Sequence, residues 1–208
     1  MRTRKPAETR KTEIVDATLR LADELGPERL STEAVANVVG LTQPGIFRHF
    51  PTKQDLWSAV AERIGTMMET RWAKAQEARA TPSEQIGKLV TAQLQLIQST
   101  PAIPAILFSR ELHTKNKVLR KAFFALLSRF HRVVADLAAR AKEAGELRAD
   151  LDPDDAAYLI IGLIQGLAVR WSISGRGFDL AQEGRRLLEI QLTALSDQKA
   201  AKRKGMQP

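Results

Sequence analysis

Residues 30–57 read LSTEAVANVVGLTQPGIFRHFPTKQDLW, and this stretch decides the fold. Two short helical signals flank a glycine within it. Ser31 is a good N-cap, and Leu30 ahead of it is placed to staple onto Val35. Val35, Val38 and Val39 fall together at helical spacing, and Gly40 stops the helix where a positive φ is wanted. The pattern then repeats. Thr42 caps, Leu41 can staple onto Ile46, and Pro44 falls in a first turn that tolerates it. A helix, a short turn containing glycine and a second short helix make up helix-turn-helix grammar.

With Leu41, Ile46 and Phe50 committed to a core, Thr42, Gln43, Gly45, Arg48 and His49 stay on the outward side. That side offers hydroxyl, amide, guanidinium and imidazole groups near the start of a helix. Such donors and acceptors suit base edges and phosphates in a major groove. An ordinary helical hairpin with a solvated polar face satisfies the same local grammar.

Ahead of this stretch, residues 1–8 read as a basic arm carrying Arg2, Arg4 and Lys5, fit to reach phosphates or a minor groove, or simply a solvated tail. Ile14, Thr18, Leu21, Ala22 and Leu25 then stripe a first helix that stops at Gly26. Beyond the stretch, Thr52 caps a long helix marked by Leu56, Val60, Ile64, Met67, Met68 and Trp72, reaching about Arg79. Thr81-Pro82-Ser83 breaks the composition. Ile86, Leu89, Val90, Gln93, Leu94 and Ile97 mark the next helix. Pro101 and Pro104 bracket a kinked segment, after which Ile106, Leu107 and Phe108 open a short helix. Lys115 to Glu143 is the longest helical pattern, striped by Leu119, Phe123, Leu126, Leu127, Phe130, Val134 and Leu137.

The last two helices differ from the rest. Asp152 caps, Pro153 takes the first position, and Ala156 to Val169 is apolar almost all the way round. That run is shorter than the ~20 residues a bilayer span needs, and Gln165 interrupts it. Such a helix wants cover on every side, from its own core and from a second subunit. Gly162 and Gly166 would let a partner helix come close, and Leu180, Gly184, Leu187, Leu188, Gln191, Leu192 and Leu195 stripe a final helix. Paired across two chains these helices form a four-helix interface, with Leu159, Leu163, Gly166, Gly184, Leu188 and Leu192 as its candidate residues. No segment alternates with period two for long enough to suggest a sheet. The expected fold is all-α: an N-terminal three-helix helix-turn-helix domain over 1–56, then a helical bundle over 57–208 ending in the basic tail AAKRKGMQP, expected to be disordered.

Composition agrees with a soluble protein: 208 residues, 44% hydrophobic and 27% charged. Lys and Arg number 32 against 24 acids, a formal +8 that favours a polyanion or an anionic membrane surface. The absence of cysteine removes disulfides and thiolate metal sites. MRTRKPAETRK has no apolar run, so it is not a secretory signal, and a cytoplasmic protein is expected. His49, His113 and His131 are scattered and no glycine-rich phosphate loop is present, so neither an enzyme nor a cofactor is expected.

The order of these features resembles the TetR family of bacterial transcriptional regulators. The resemblance is most specific from Ile14 to Leu56: Gly26, Val35-Ala36, Val39-Gly40-Leu41-Thr42, and Ile46-Phe47-Arg48-His49-Phe50 followed by Thr52-Lys53 and Leu56. Phe47 departs from it, since the family usually has a Tyr there whose hydroxyl reaches a phosphate. The resemblance implies that Thr42, Gln43, Gly45, Arg48 and His49 face the groove, that Ser31, Thr32, Phe47 and Lys53 lie against the backbone, and that Pro44 is a further DNA-binding candidate. Gln43 is then the first candidate for base readout and Arg48 the second. It further implies a homodimer joined by the last two helices, double-stranded operator DNA as partner, and a small, partly apolar effector that releases it. Met67, Met68, Trp72, Phe108, Arg110, His113, Phe123, Phe124 and Trp171 are the candidate lining of an effector cavity, although such stripes also read as plain core.

Overall fold

The computed structural model describes residues 6–76 and 79–196, so the basic arm Arg2, Arg4 and Lys5 and the tail from residue 197 lie outside the described residues. Among those described there are ten helices and no strand: α1 (Ala7–Leu25), α2 (Thr32–Val39), α3 (Gln43–Phe47), α4 (Lys53–Gln76), α5 (Pro82–Ser99), α6 (Ala102–Leu107), α7 (Arg110–Lys115), α8 (Lys117–Glu143), α9 (Pro153–Ile173) and α10 (Leu180–Leu195). They fall into two compact units. Of the described residues, one unit holds 6–67 with 100–126, the other 68–76 and 79–99 with 127–196. Packing therefore divides the chain inside α4, beyond the expected 56/57 boundary, and gives the first unit a segment from the middle of the chain.

In the first unit α1 packs on α2 and α6, and α2 on α3. Ile14, Val15, Ala17, Thr18, Leu19, Leu21 and Ala22 of α1 are buried, and Thr18 Oγ1 donates to Ile14 O at 2.8 Å, which satisfies its hydroxyl. Leu25, expected in that stripe, is exposed, because it closes the last turn before the chain reverses at Gly26 (φ +81°). The buried face of α2 is Thr32, Val35 and Ala36, with Val39 half-buried. Val38 is 48% exposed. At 100° per residue it lies about a third of a turn off that face, so the grouping Val35/Val38/Val39 picked a rotated stripe.

The proline-rich segment also differs from expectation. Pro104 sits inside α6, in the first turn, where its missing N–H removes no intrahelical bond. Ile106 and Leu107 close that helix instead of opening one. Ser109 then caps α7 by accepting the Leu112 N–H at 3.1 Å, and Asn116 Oδ1 accepts the Leu119 N–H at 2.9 Å at the start of α8. α4 ends at Gln76, short of Arg79, which lies in a bend.

In the second unit α10 packs on α5 and α9, and α5 on α9. A Cβ on Gly184 would lie 2.0 Å from Leu94 Cδ1, so this glycine is what lets α10 meet α5. Trp72 stacks on Phe130 with ring centroids 4.8 Å apart and donates Nε1–H to Gln93 Oε1 at 2.9 Å. Ala138, Ala141, Leu147, Leu151, Ala156 and Leu195 form a further core, against which Leu192 packs. The helix expected to be too short for a bilayer is not: α9 has 21 residues and a best window of mean hydropathy 1.5, long and apolar enough to cross a membrane. What marks it as a core helix is its packing. Ala156, Ala157, Ile160, Ile164, Leu167, Ala168 and Trp171 are buried along one face inside the unit.

The Trp72–Gln93 bond gives a stability test. Trp72→Phe keeps most of the ring contact but leaves a buried carbonyl oxygen without its donor. It should cost about 1–3 kcal/mol. Adding Gln93→Leu should recover much of that loss, because removing both partners leaves nothing unsatisfied. Urea unfolding of the two single variants and the double variant checks this, and additive losses would show that the bond is not what matters.

Candidate nucleic-acid interface

The outward helix is held from both ends. Ser31 Oγ accepts the Ala34 N–H at 3.1 Å and starts α2; Gly40 ends it in the left-handed region (φ +64°). The Leu41 N–H reaches back to Ala36 O at 2.8 Å and the Gly40 N–H to Asn37 O at 3.2 Å, the paired closure that a glycine C-cap allows. Thr42 Oγ1 then accepts the Gly45 N–H at 3.3 Å and starts α3. Ile46 is fully buried beneath α3, and Leu30 and Val35 are buried as the staple requires.

Thr42, Gln43, Pro44, Phe47 and Arg48 are exposed, while Gly45 and His49 are half-buried. A Cβ at Gly45 would meet only Leu41 and Thr42, no closer than 3.4 Å, so the fold tolerates a larger residue there. Phe47 is exposed, so its ring is not part of the buried core under α3. Two expected backbone-facing groups also make hydrogen bonds within the fold. Thr32 is buried, and its Oγ1 accepts Gln43 Nε2–H at 2.9 Å across the turn. Its hydroxyl therefore orients Gln43 instead of facing outward. Lys53 Nζ donates to Leu30 O, and burial together with the charge of Lys115 holds the Lys53 ammonium below the usual lysine range. Lys53 thus braces the loop that leads into Ser31. Its helix is capped by Thr52, whose N–H donates to Asp55 Oδ2 at 2.9 Å while the Asp55 N–H returns to Thr52 Oγ1 at 3.1 Å.

The candidate cavity residues divide between the units. Met68, Trp72 and Trp171 are buried in the second, and Trp171 Nε1–H donates to Phe178 O at 3.0 Å. In the first, Phe123 is buried with its ring edge-on to His113, 5.7 Å between centroids, and His113 Nε2–H donates to Leu107 O at 3.0 Å. Met67 is half-buried. Phe108 and Arg110 are exposed, and Phe124 is 72% exposed, so these three line no enclosed space. Hydrophobicity had put Phe108 and Phe124 inside, and Arg110 was a candidate polar group beside the proline-rich segment. Sequence reasoning missed a groove of about 730 Å³ between α5 and α10, lined by Gly87, Lys88, Ala92, Arg185, Leu188 and Leu192 among others.

Of the candidate dimer residues, Gly184 and Leu188 are buried inside their own unit, Gly184 against Leu94. Both are therefore already packed within their own chain. Leu192 belongs with the core cluster it packs against. Leu159 and Gly166 are exposed and Leu163 half-buried, and Leu159, Gly162, Gly166, Val169 and Ile173 form an outward line along α9 at alternating spacings of three and four.

Residues 14–60 match the family described as "Bacterial regulatory proteins, tetR family", and residues 82–197, more than half of the chain, match "BetI-type transcriptional repressor, C-terminal". The chain is 23% identical to the fatty acid metabolism regulator protein of Bacillus subtilis over 88% of its own length and 94% of the relative's. It is 27% identical to the HTH-type transcriptional regulator AcrR of Shigella flexneri, over 92% and 91%. Its fold is similar to that of the B. subtilis regulator FadR in complex with stearoyl-CoA (TM-score 0.75, 20% identical, 87% and 97% covered). A Saccharomonospora viridis putative transcriptional regulator in complex with choline gives 0.77 (21% identical, 88% and 94%). AibR in complex with isovaleryl coenzyme A and operator DNA gives 0.74 (18% identical, 87% and 97%). The two matched segments, the left-handed turn at Gly40 and the outward face of α3 lead to one conclusion: this chain belongs to the TetR family of bacterial transcriptional regulators.

Proposed function

We propose that this regulator is a repressor that binds a roughly palindromic operator as a homodimer and leaves it when a small, partly apolar molecule binds its helical domain. In this reading residues 1–56 are the reading head and 57–208 take effector and partner. The observation that carries it is α3, a short helix whose polar side is exposed while its caps and Ile46 hold it in place. Base contacts come from Gln43 and Arg48, and the N-terminal amides of α2 and α4 receive phosphates. The protein works in the cytoplasm, on DNA and without a membrane partner, and its structural neighbours bound to stearoyl-CoA, isovaleryl coenzyme A and choline support a small-molecule effector.

The dimer is assigned to the outward line of α9, with Leu159, Gly162, Gly166, Val169 and Ile173 against their copies. A two-fold interface of this kind imposes two-fold symmetry on the DNA site. α4 begins in the unit of the reading head, at Lys53, and ends in the other, beyond Trp72, so tilting it changes the separation of the two heads. That separation must be near one helical turn, about 34 Å, for both heads to reach successive major grooves.

Gln43→Ala and Arg48→Ala should change sequence preference, each losing about 1–3 kcal/mol at particular base pairs. Thr32→Val should mimic Gln43→Ala in part, since it frees the amide that Thr32 orients. Binding to a library of single-base operator variants reads both effects, and an unchanged preference in Gln43→Ala would remove it from the readout. For the dimer, Leu159→Glu or Val169→Glu should halve the sedimenting mass with the fold intact, whereas Leu188→Glu should unfold the chain. A mass unaffected by either α9 change would relocate the interface. Calorimetry with stearoyl-CoA, isovaleryl coenzyme A and choline, with and without operator, tests regulation. An effector should bind more weakly to the DNA complex by the same factor by which it weakens DNA, typically about 1–3 kcal/mol of coupling.

A further inference from the structure

A second run dense in positive charge lies in the same unit, outside the reading head. Between Arg110 and Lys121 the chain carries five cations, Arg110, Lys115, Lys117, Arg120 and Lys121, against one carboxylate, Glu111. All five are exposed. Glu111 is engaged by Lys115 in a pair one helical turn apart, and among the described residues no carboxylate pairs with Lys117, Arg120 or Lys121. On α8 the buried residues Leu119, Phe123 and Leu126 define the inner face, which puts Lys117 and Lys121 at the centre of the opposite one. A patch of this density within a helical domain does nothing for its own fold and repels itself, so its use lies in a partner.

The position of the patch indicates which partner. Ser109, the cap of α7, donates its hydroxyl to Glu28 in the α1–α2 loop, and α6 packs on α1. Two residues further along that loop, Leu30 O accepts from Lys53 Nζ, and the next residue is Ser31, the cap of α2. The same short loop is therefore anchored by α7 on one side and by the start of α4 on the other. α7 rises only about 9 Å from its cap, so its far end stays near that loop. Lys115 is close enough for its charge to help depress the pKa of Lys53. The basic corner thus adjoins the helix N-termini that face phosphates in the reading above.

We propose that the α7–α8 corner, centred on Lys117 and Lys121, is a second phosphate-binding surface that grips the duplex backbone outside the segment read by α3. The proposal rests on the DNA-binding reading and adds a footprint to it. A lysine is suited to this task because a flexible ammonium finds a phosphate without demanding a base. An anionic membrane would use the same charges together with the exposed Val118 and Phe124, but these are the only large apolar groups exposed on that part of α8. Adjacency to the reading head favours DNA.

The test uses the full-length protein and a duplex selected by the wild type from a random pool. It is prepared at the length of the α3 contacts and again with about ten further base pairs, one helical turn, on each side. Wild type should bind the longer duplex more tightly and with a steeper dependence on salt. The Lys117→Gln/Lys121→Gln variant should lose that difference, its slope on the long duplex falling by about one unit for each lysine contact removed, and behave like wild type on the short duplex. Lys117→Arg/Lys121→Arg should restore it. Thermal unfolding checks that the variants are folded, which their exposure leads one to expect. Equal slopes for wild type and the Gln variant on the long duplex overturn the proposal. So does an equal loss on both lengths, which would place the lysines within the α3 footprint. Loss of binding to phosphatidylglycerol vesicles with unchanged DNA slopes would overturn it in favour of a membrane surface. Failure of the wild type to select any duplex would overturn the DNA-binding reading itself, and this proposal with it.

Discussion

A helix of five residues has no stability of its own in water, since nucleation costs more than its few hydrogen bonds return. Yet α3, Gln43 to Phe47, must present its side chains in one orientation to be of use. The constraint that its shape be supplied from outside organises the head. Ile46 supplies the buried anchor, Thr42 the cap, Gly40 the turn that no other residue makes as cheaply, and Thr32 a hydroxyl that holds Gln43. Ile46, Gly40 and Thr32 lie outside the outward face, and together with the Thr42 cap they decide where that face points. Replacing any one should damage readout without touching DNA.

Lys53 shows how the same support changes a residue's role. At the first position of α4 a cation opposes the helix dipole, and its ammonium is also partly withdrawn from water. Its donation to Leu30 O offsets that cost by satisfying a carbonyl in the loop that sets up Ser31. The residue is thus a strut that carries a charge. Removing it should loosen the entry to α2 as well as weaken attraction to phosphate, so its loss and the loss of a purely electrostatic lysine such as Lys117 are not equivalent.

Much of the fold was legible because helices obey local rules. The caps Ser31, Thr42, Thr52 and Asp152, the stop at Gly40 and the stripe of α5 all follow from spacing and side-chain chemistry that act within a few residues. The exposure of Thr42, Gln43 and Arg48 was legible for the same reason, while Gly45 and His49 of the outward set are half-buried. What was not legible depends on distance in space. Nothing local says that Thr32 meets Gln43 or that Lys53 meets Leu30 O, because those partners are separated by 11 and 23 residues. Nor could periodicity rotate the face of α2 away from Val38, since three valines at helical spacing satisfy the pattern whichever neighbour covers them. Phe124 was assigned to the interior on hydrophobicity, and the structure puts it outside, on the basic side of α8.

The last helices show why hydrophobicity cannot choose between a core, a partner and a lipid. By length and composition α9 passes as a membrane span, and by amphipathicity α10 passes as half of a dimer seam. Packing separates these cases. Gly184 on α10 is used up against Leu94 of α5 and Leu188 is buried within the unit, so both are accounted for within one chain. On α9 the buried face accounts for Ile160, Ile164, Leu167 and Trp171, and leaves Leu159, Val169 and Ile173 unexplained. Lipid would cover such residues whatever their arrangement. Here they share one line with Gly162 and Gly166, which have open space where a Cβ would be. A line of large residues interrupted by two gaps has a shape, and this is the ground for the proposed protein partner. A second α9, related by a two-fold axis, presents the same ridges and gaps in reverse order.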